Sequence, residues 1–189
     1  MKTKKFAYKH GYVETMFGRR RRLPDLKSKV NSLKSDAERQ AINSPIQGTG
    51  SDFTMLSVIQ INHWLKENNM KSLLVATVHD SIVFDIYIPE LAELAVKAKD
   101  TMEHVHEPYI DTEVPITAEL ELGLDYGSTI EIEVDECKKI LSRADLDNWV
   151  YVKTLIKYEK EIKTLKKMGL SYSEVVRYLE NYSRPIDKL

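Results

Sequence analysis

The chain has 189 residues, 42% of them hydrophobic, with 28 Lys/Arg against 29 Asp/Glu and a formal net charge of −1. That composition supports one or two domains with a real core and argues against a disordered chain. The single cysteine, Cys137, excludes an internal disulfide framework and fits a reducing cytoplasm, and no apolar run reaches the length of a membrane span or of a signal-peptide core.

The near-zero net charge hides an asymmetry. Residues 1–40 carry 12 Lys/Arg against 4 Asp/Glu, residues 41–134 carry 4 against 16, and residues 135–189 carry 12 against 9. A basic front beside an acidic centre fits polyanion contact outside and cation binding within, although ordinary solvated faces give the same counts.

In chain order, residues 1–10 are basic and interleaved with Phe6 and Tyr8. Tyr12, Val13 and Thr15 predict a strand, Phe17-Gly18 a turn, and residues 19–23 a returning strand before Pro24. Arg19, Arg20, Arg21 and Arg22 alternate faces on such a strand. At least two of them then point one way and can meet a phosphate backbone, the ordinary alternative being a solvated basic cluster. Residues 26–34 read as a polar loop.

Residues 35–69 read as mainly helical, with Ser35 or Asp36 as N-cap and Glu38 in the first turn. Asn43-Ser44-Pro45 predicts a bend or interruption, and Gly48 and Gly50 leave room for another backbone. Phe53, Met55, Leu56, Ile59, Trp64 and Leu65 supply the apolar face, and Asn68-Asn69 ends the helix. Arg39, Asn43 and Gln47 are four apart and share one helical face. Such side chains suit the minor groove, whose acceptors are similar for every base pair, and equally suit a plain polar surface.

Residues 73–78 and 82–86 are two apolar, β-favouring runs flanking His79, Asp80 and Ser81. The insert is too short for anything but a turn or bulge, so Asp80 stands at the tip of a hairpin. A fixed carboxylate there can bind a divalent metal beside phosphates, while a turn Asp more often bonds its own backbone. Residues 89–106 predict an amphipathic helix opened by Pro89, residues 114–122 a further strand, and residues 123–127 a turn. The expected class is α+β: an antiparallel sheet with helices on one face, presenting Asp80 from the other. Beyond residue 130, residues 137–141 and 149–168 read as helices. Residues 165–178, with Gly169 and Ser171 or Ser173 as N-cap, faintly resemble a helix-turn-helix; a small helical appendage is the simpler reading.

With these residues in view, residues 11–131 resemble the C-terminal part of family A DNA polymerases, the bacterial DNA polymerase I group. Three segments carry the resemblance in order: GYVETMFGRRRRLPD at 11–25, AERQAINSPIQGTGSD at 37–52 and VHDSIVFD at 78–85; the stretch ELELGLDYG is similar to the family's closing strand and turn. The resemblance implies a palm with part of the fingers over residues 1–134 and a helical extension of unknown role over 135–189. It implies template-directed addition of deoxynucleoside triphosphates to primer-template DNA, with two Mg²⁺ ions at the reacting centre. Asp80 matches one metal-binding aspartate, His79 a residue supporting the primer end, and Arg39, Asn43 and Gln47 positions facing the minor groove. Arg19–Arg22 are expected near the nucleic acid.

Two departures stand out. The family carries an acidic residue after the His-Asp pair, where this chain has Ser81. The motif holding the other metal aspartate belongs upstream of Gly11, as does the fingers helix that grips the triphosphate; residues 1–10 contain neither. The expectation is a split polymerase, of cytoplasmic, nucleoid-associated and phage or mobile-element character, whose complementary fragment supplies the rest of the site. The alternatives are a non-catalytic DNA-binding or regulatory remnant and a metal-dependent phosphohydrolase. The second needs further ligands, and His10, His63, His104 and His106 show no shared geometry for it.

Overall fold

The computed structural model describes residues 2–171 and residue 174. Its contacts gather the chain into two compact units, Met1–Leu120 and Glu121–Leu189. The elements are α1 (Lys2–His10), β1 (Tyr12–Glu14), β2 (Arg20–Arg22), α2 (Asn31–Glu67), β3 (Leu73–Val78), β4 (Ser81–Asp85), α3 (Leu91–His104), β5 (Glu121–Leu122), β6 (Ile130–Glu131), α4 (Val134–Cys137) and α5 (Arg143–Lys167). The class is α+β, with antiparallel strands in three two-stranded pairs, β1–β2, β3–β4 and β5–β6.

The first unit is built along α2, whose 37 residues span about 55 Å at the helical rise. One small core forms near its N-terminal end from Ala7, Val13, Leu23, Leu26, Ala37 and Ala41. A second forms near its C-terminal end from Ile61, Leu65, Leu94 and Ala98, with Leu74, Ile82, Phe84 and Ile86 packed on it. Ala41 and Ile61 are twenty residues apart, so their side chains leave the helix on nearly opposite sides, roughly 200° around the axis. That change of side is why a single apolar period does not run through the segment.

Three expectations for α2 are corrected. The helix starts at Asn31, with Val30 as an N-cap that makes no side-chain bond. Ser35 and Asp36 therefore lie inside it, and Asp36 pairs with Arg39. Of the bend or interruption expected at Pro45, the interruption does not occur: the helix continues through it. An interior proline costs about 3 kcal/mol, and here it is held on both sides. Ala37 and Ala41 are buried before it, while after it Thr49 Oγ1 donates to the Pro45 carbonyl at 2.7 Å and accepts from Met16 N at 3.0 Å. Finally, the buried stripe of the middle turns is Thr49, Thr54 and Ser57, whereas Met55 and Ile59 are exposed. Each of the three hydroxyls donates to the carbonyl four residues earlier, which satisfies them in a packed environment. Of the two glycines expected at close approaches, Gly48 is one: an added Cβ would meet Thr15 Cγ2 at 2.5 Å, whereas nothing lies within 4 Å of Gly50.

The strand expected over residues 114–122 is confined to Glu121–Leu122. Pro115 has no N–H to give, and Ala118 is fastened instead to α3, its N–H to Glu103 Oε1 at 3.1 Å and its carbonyl to Lys99 Nζ. In the second unit, β5 pairs with β6. The short α4 is opened by reciprocal bonds between Glu133 and Glu136, so it sits a turn earlier than residues 137–141. Ser142 and Asp145 exchange bonds at the start of α5, which begins at Arg143 rather than near Trp149. Glu136 ties the two helices, accepting from Lys153 at 2.8 Å and from Trp149 Nε1 at 3.4 Å; the Lys153 bond holds its carboxyl below the usual range. Cys137 is buried, and burial pushes its thiol up to about 11. Of the helix-turn-helix-like stretch, residues 172, 173 and 175–178 lie outside the described residues, Ser173 among them. Ser171 N and Oγ donate to Glu174 Oε2 at 2.8 and 2.6 Å.

Candidate metal and nucleic-acid site

The β3–β4 hairpin forms as its sequence suggests, and its register pairs Val78 with Ser81. The turn is therefore His79-Asp80 alone, and Ser81 already belongs to β4. Two-residue hairpin turns need positive φ, and His79 supplies it at +57°. Ser81 Oγ donates to the Val78 carbonyl at 2.8 Å and helps close the turn. One face of the hairpin, with Leu74, Ile82 and Phe84, lies on the α2–α3 core. Leu73 and Val75 are on the exposed side, at 59% and 55% accessibility.

Both ends of the hairpin are fixed. At the base, Glu90 accepts from Lys71 N at 2.8 Å, Ser72 N at 2.8 Å and Ser72 Oγ at 2.7 Å, while Tyr87 N donates to Ser72 Oγ at 3.0 Å. Partial burial raises the Glu90 carboxyl, but the bonds from Lys71 and Ser72 outweigh it and leave the group below the usual carboxylate range. At the tip, buried Thr54 on α2 donates to the Gly50 carbonyl at 3.2 Å and makes a long 3.5 Å bond to the Asp80 carbonyl. The Asp80 side chain is exposed, and it makes no hydrogen bond or ion pair among the described residues. The Val78–Ser81 pairing holds its backbone in the turn, and its carboxylate oxygens are free of other described groups.

Arg39, Asn43 and Gln47 all lie on α2 and are all exposed. Thr54 follows Gln47 by two helical turns, about 10 Å along the axis. One helix thus carries the polar stripe and holds the turn that carries Asp80. The arginines sit on the β1–β2 hairpin, which packs against the same helix. Arg19 Nη2 contacts the Gly48 carbonyl at 2.9 Å and Asp52 Oδ1 at 3.0 Å. Arg20 donates to Glu14 at 2.5 Å and lies 4.7 Å over the Tyr12 ring, and the Glu14 bond raises its already high pKa. Arg21 donates to Gln40 Oε1 at 3.1 Å, and Arg22 is exposed.

Sequence reasoning did not single out Thr54, Asp52 or Glu90. Thr54 and Asp52 carry no periodic signal, and only the quoted QGTGSD segment drew attention to their neighbourhood. Among the described residues no group of three or more His, Cys, Asp or Glu could hold a metal by itself. An exposed, unpaired carboxylate on a two-residue turn could serve as one ligand of a cation that keeps water and phosphate oxygens as its other ligands.

The hairpin-tip carboxylate of Asp80, the polar stripe on α2 and the arginine hairpin packed on α2 all belong to the first unit. The model of DNA polymerase family A matches residues 1–128, and the chain belongs to that family. The DNA polymerase of Bacillus phage SP01 is 40% identical over 190 aligned residues, covering 96% of this chain and 20% of that protein. A thermostable DNA polymerase I of Thermus thermophilus is 38% identical over 127 residues, 67% of this chain and 14% of that protein. Among solved structures, the POL domain of Pol1 from M. smegmatis, in complex with DNA primer-template and dNTP, matches with a TM-score of 0.54 and 32% identity, over 60% of this chain and 19% of that one. The chain spans a fifth or less of the length of these proteins. At 96% coverage, the phage alignment extends well past residue 128, so most of α4 and α5 also have counterparts in a phage polymerase.

Proposed function

We propose that this segment is the C-terminal part of a template-directed DNA polymerase, active on primer-template DNA and deoxynucleoside triphosphates only together with a complementary polymerase segment. Residues 1–134 supply palm and part of the fingers, and residues 135–189 an extension. The observation that carries the reading is the Asp80 turn: its backbone is held between the paired Val78 and Ser81, while its exposed carboxylate makes no hydrogen bond or ion pair among the described residues. Asp80 would hold one of two Mg²⁺ ions, the second aspartate coming from the complementary segment. When bound, Mg²⁺ polarises the phosphoryl oxygens and neutralises charge on the triphosphate. His79 positions the primer end, Arg39, Asn43 and Gln47 donate to minor-groove acceptors, and the β1–β2 hairpin approaches the phosphates. Ser81 provides no charge because its hydroxyl is neutral, and that hydroxyl donates to the Val78 carbonyl.

The open state of the hairpin supports a complementary segment. β3 and β4 pair only with each other among the described residues, so each keeps an unpaired edge, and Leu73 and Val75 stand beside those edges. Edges of this kind invite further strands. The stronger form of the proposal puts that segment on a separate chain. The identity with a phage polymerase supports a phage or mobile-element source and a place on cytoplasmic or nucleoid DNA. The test is primer extension with Mg²⁺: none from this chain alone, and extension on mixing with a family A segment that carries the remaining motifs. Duplex binding without extension in any mixture would instead favour a non-catalytic DNA-binding remnant.

A further inference from the structure

We propose that strand alternation divides the four-arginine tract into two jobs: Arg19 and Arg21 clamp the β1–β2 hairpin to α2, and Arg22, with Arg20 beside it, faces nucleic-acid phosphate. The inference rests on the DNA-binding reading above and refines which cations carry it. β1 and β2 pair Tyr12 with Arg22, Val13 with Arg21 and Glu14 with Arg20. Directly opposed residues share a face and neighbours along a strand do not. Val13 is buried with Ala37 and Ala41 of α2, so its face is the inner one.

Arg21 follows Val13 and reaches Gln40 at 3.1 Å. Arg19, two residues earlier on the same side, bridges the Gly48 carbonyl and Asp52 at 2.9 and 3.0 Å. Asp52 Oδ2 is buried with no hydrogen-bond partner, so this carboxylate depends on Arg19 for its compensation. The space beside Gly48 is filled by Thr15 of the same hairpin. These contacts make a fitted joint, and the two guanidinium groups are part of it.

Tyr12, Glu14, Arg20 and Arg22 form the outer face. Arg20 is engaged by Glu14 and Tyr12. Arg22 has no hydrogen bond or ion pair among the described residues and offers a whole charge. A cation already neutralised by a carboxylate contributes less to phosphate binding than a free one, so Glu14 holds Arg20 in reserve. An exposed pair of this kind exchanges readily when a phosphate competes.

The test is fluorescence anisotropy of a short labelled primer-template duplex with the full chain across a salt series, read beside thermal melting. The slope of log affinity against log salt counts neutralised phosphates. Arg22→Ala is expected to reduce its magnitude by about 0.9 with Tm unchanged. Glu14→Gln steepens it. Arg19→Ala, Arg21→Ala and Asp52→Asn lower Tm by a few degrees with the slope unchanged. Arg22→Ala with the wild-type slope overturns the division. So does Arg19→Ala or Arg21→Ala losing as much slope as expected for Arg22→Ala at unchanged Tm. Failure of the wild-type chain to bind the duplex overturns the DNA-binding reading itself, a result distinct from binding with the wrong arginine.

Discussion

Asp80 combines a held backbone with a free carboxylate, and the residue before it makes that possible. His79 carries φ of +57°, a region that β-branched residues enter only at a cost of roughly 1–2 kcal/mol. His79→Val is therefore expected to lower stability by about that amount, measured by denaturant unfolding, whatever the imidazole does at the primer end. His79→Gly relieves the backbone and should not lower stability through this route, so the pair of variants separates backbone geometry from side-chain chemistry. The turn was legible in the sequence because two β-branched runs close on so few polar residues. Its exact length was not, because Ser81 has a turn residue's composition and a strand residue's pairing.

At the scale of elements, the joint between the β1–β2 hairpin and α2 decides where the arginines stand. Gly48→Val puts side-chain atoms where Thr15 Cγ2 already lies at 2.5 Å from an ideal Cβ. Overpacking of this kind costs about 1–3 kcal/mol, and unfolding curves should show that loss while Gly50→Ala, at an open position, shows little of it. The base of the β3–β4 hairpin depends on Glu90. Its folded pKa is lowered, so its contribution is present above the unfolded carboxyl value and is lost as pH falls through the folded value. Protection of the β3–β4 amides against hydrogen exchange, taken relative to the intrinsic rate at each pH, is expected to fall across that acidic window. Glu90→Gln should lower that protection at neutral pH and remove the acid step; protection that keeps the same acid step in the variant would contradict this role. The long helix was the least legible element. Its apolar side changes between Ala41 and Ile61, and Thr49, Thr54 and Ser57 line its buried middle, so the pattern looked interrupted where the backbone is continuous. The strand expected over residues 114–122 failed for the opposite reason: the alternation was clean, but side chains of α3 take the backbone groups a neighbouring strand would need.

At the scale of the whole molecule, the sequence motifs and the structure meet on one point. The segments quoted for the family resemblance are those that build the arginine hairpin, the stripe on α2 and the Asp80 turn, and the family match covers residues 1–128. The later helices, which the sequence set apart as an appendage, continue in alignment with a phage polymerase. The chain covers a fifth or less of its relatives, and its hairpin edges and the lone carboxylate at its tip are the features a complementary segment would complete. The most direct test of the central claim is the Mg²⁺-dependent primer-extension rate of Asp80→Asn beside wild type, each mixed with the complementary segment. Loss of a metal ligand withdraws several kcal/mol of charge stabilisation, so the variant is expected to fall by about a thousandfold or more while binding the duplex and melting like wild type. Extension by Asp80→Asn at the wild-type rate would contradict the assignment of Asp80 to the metal site.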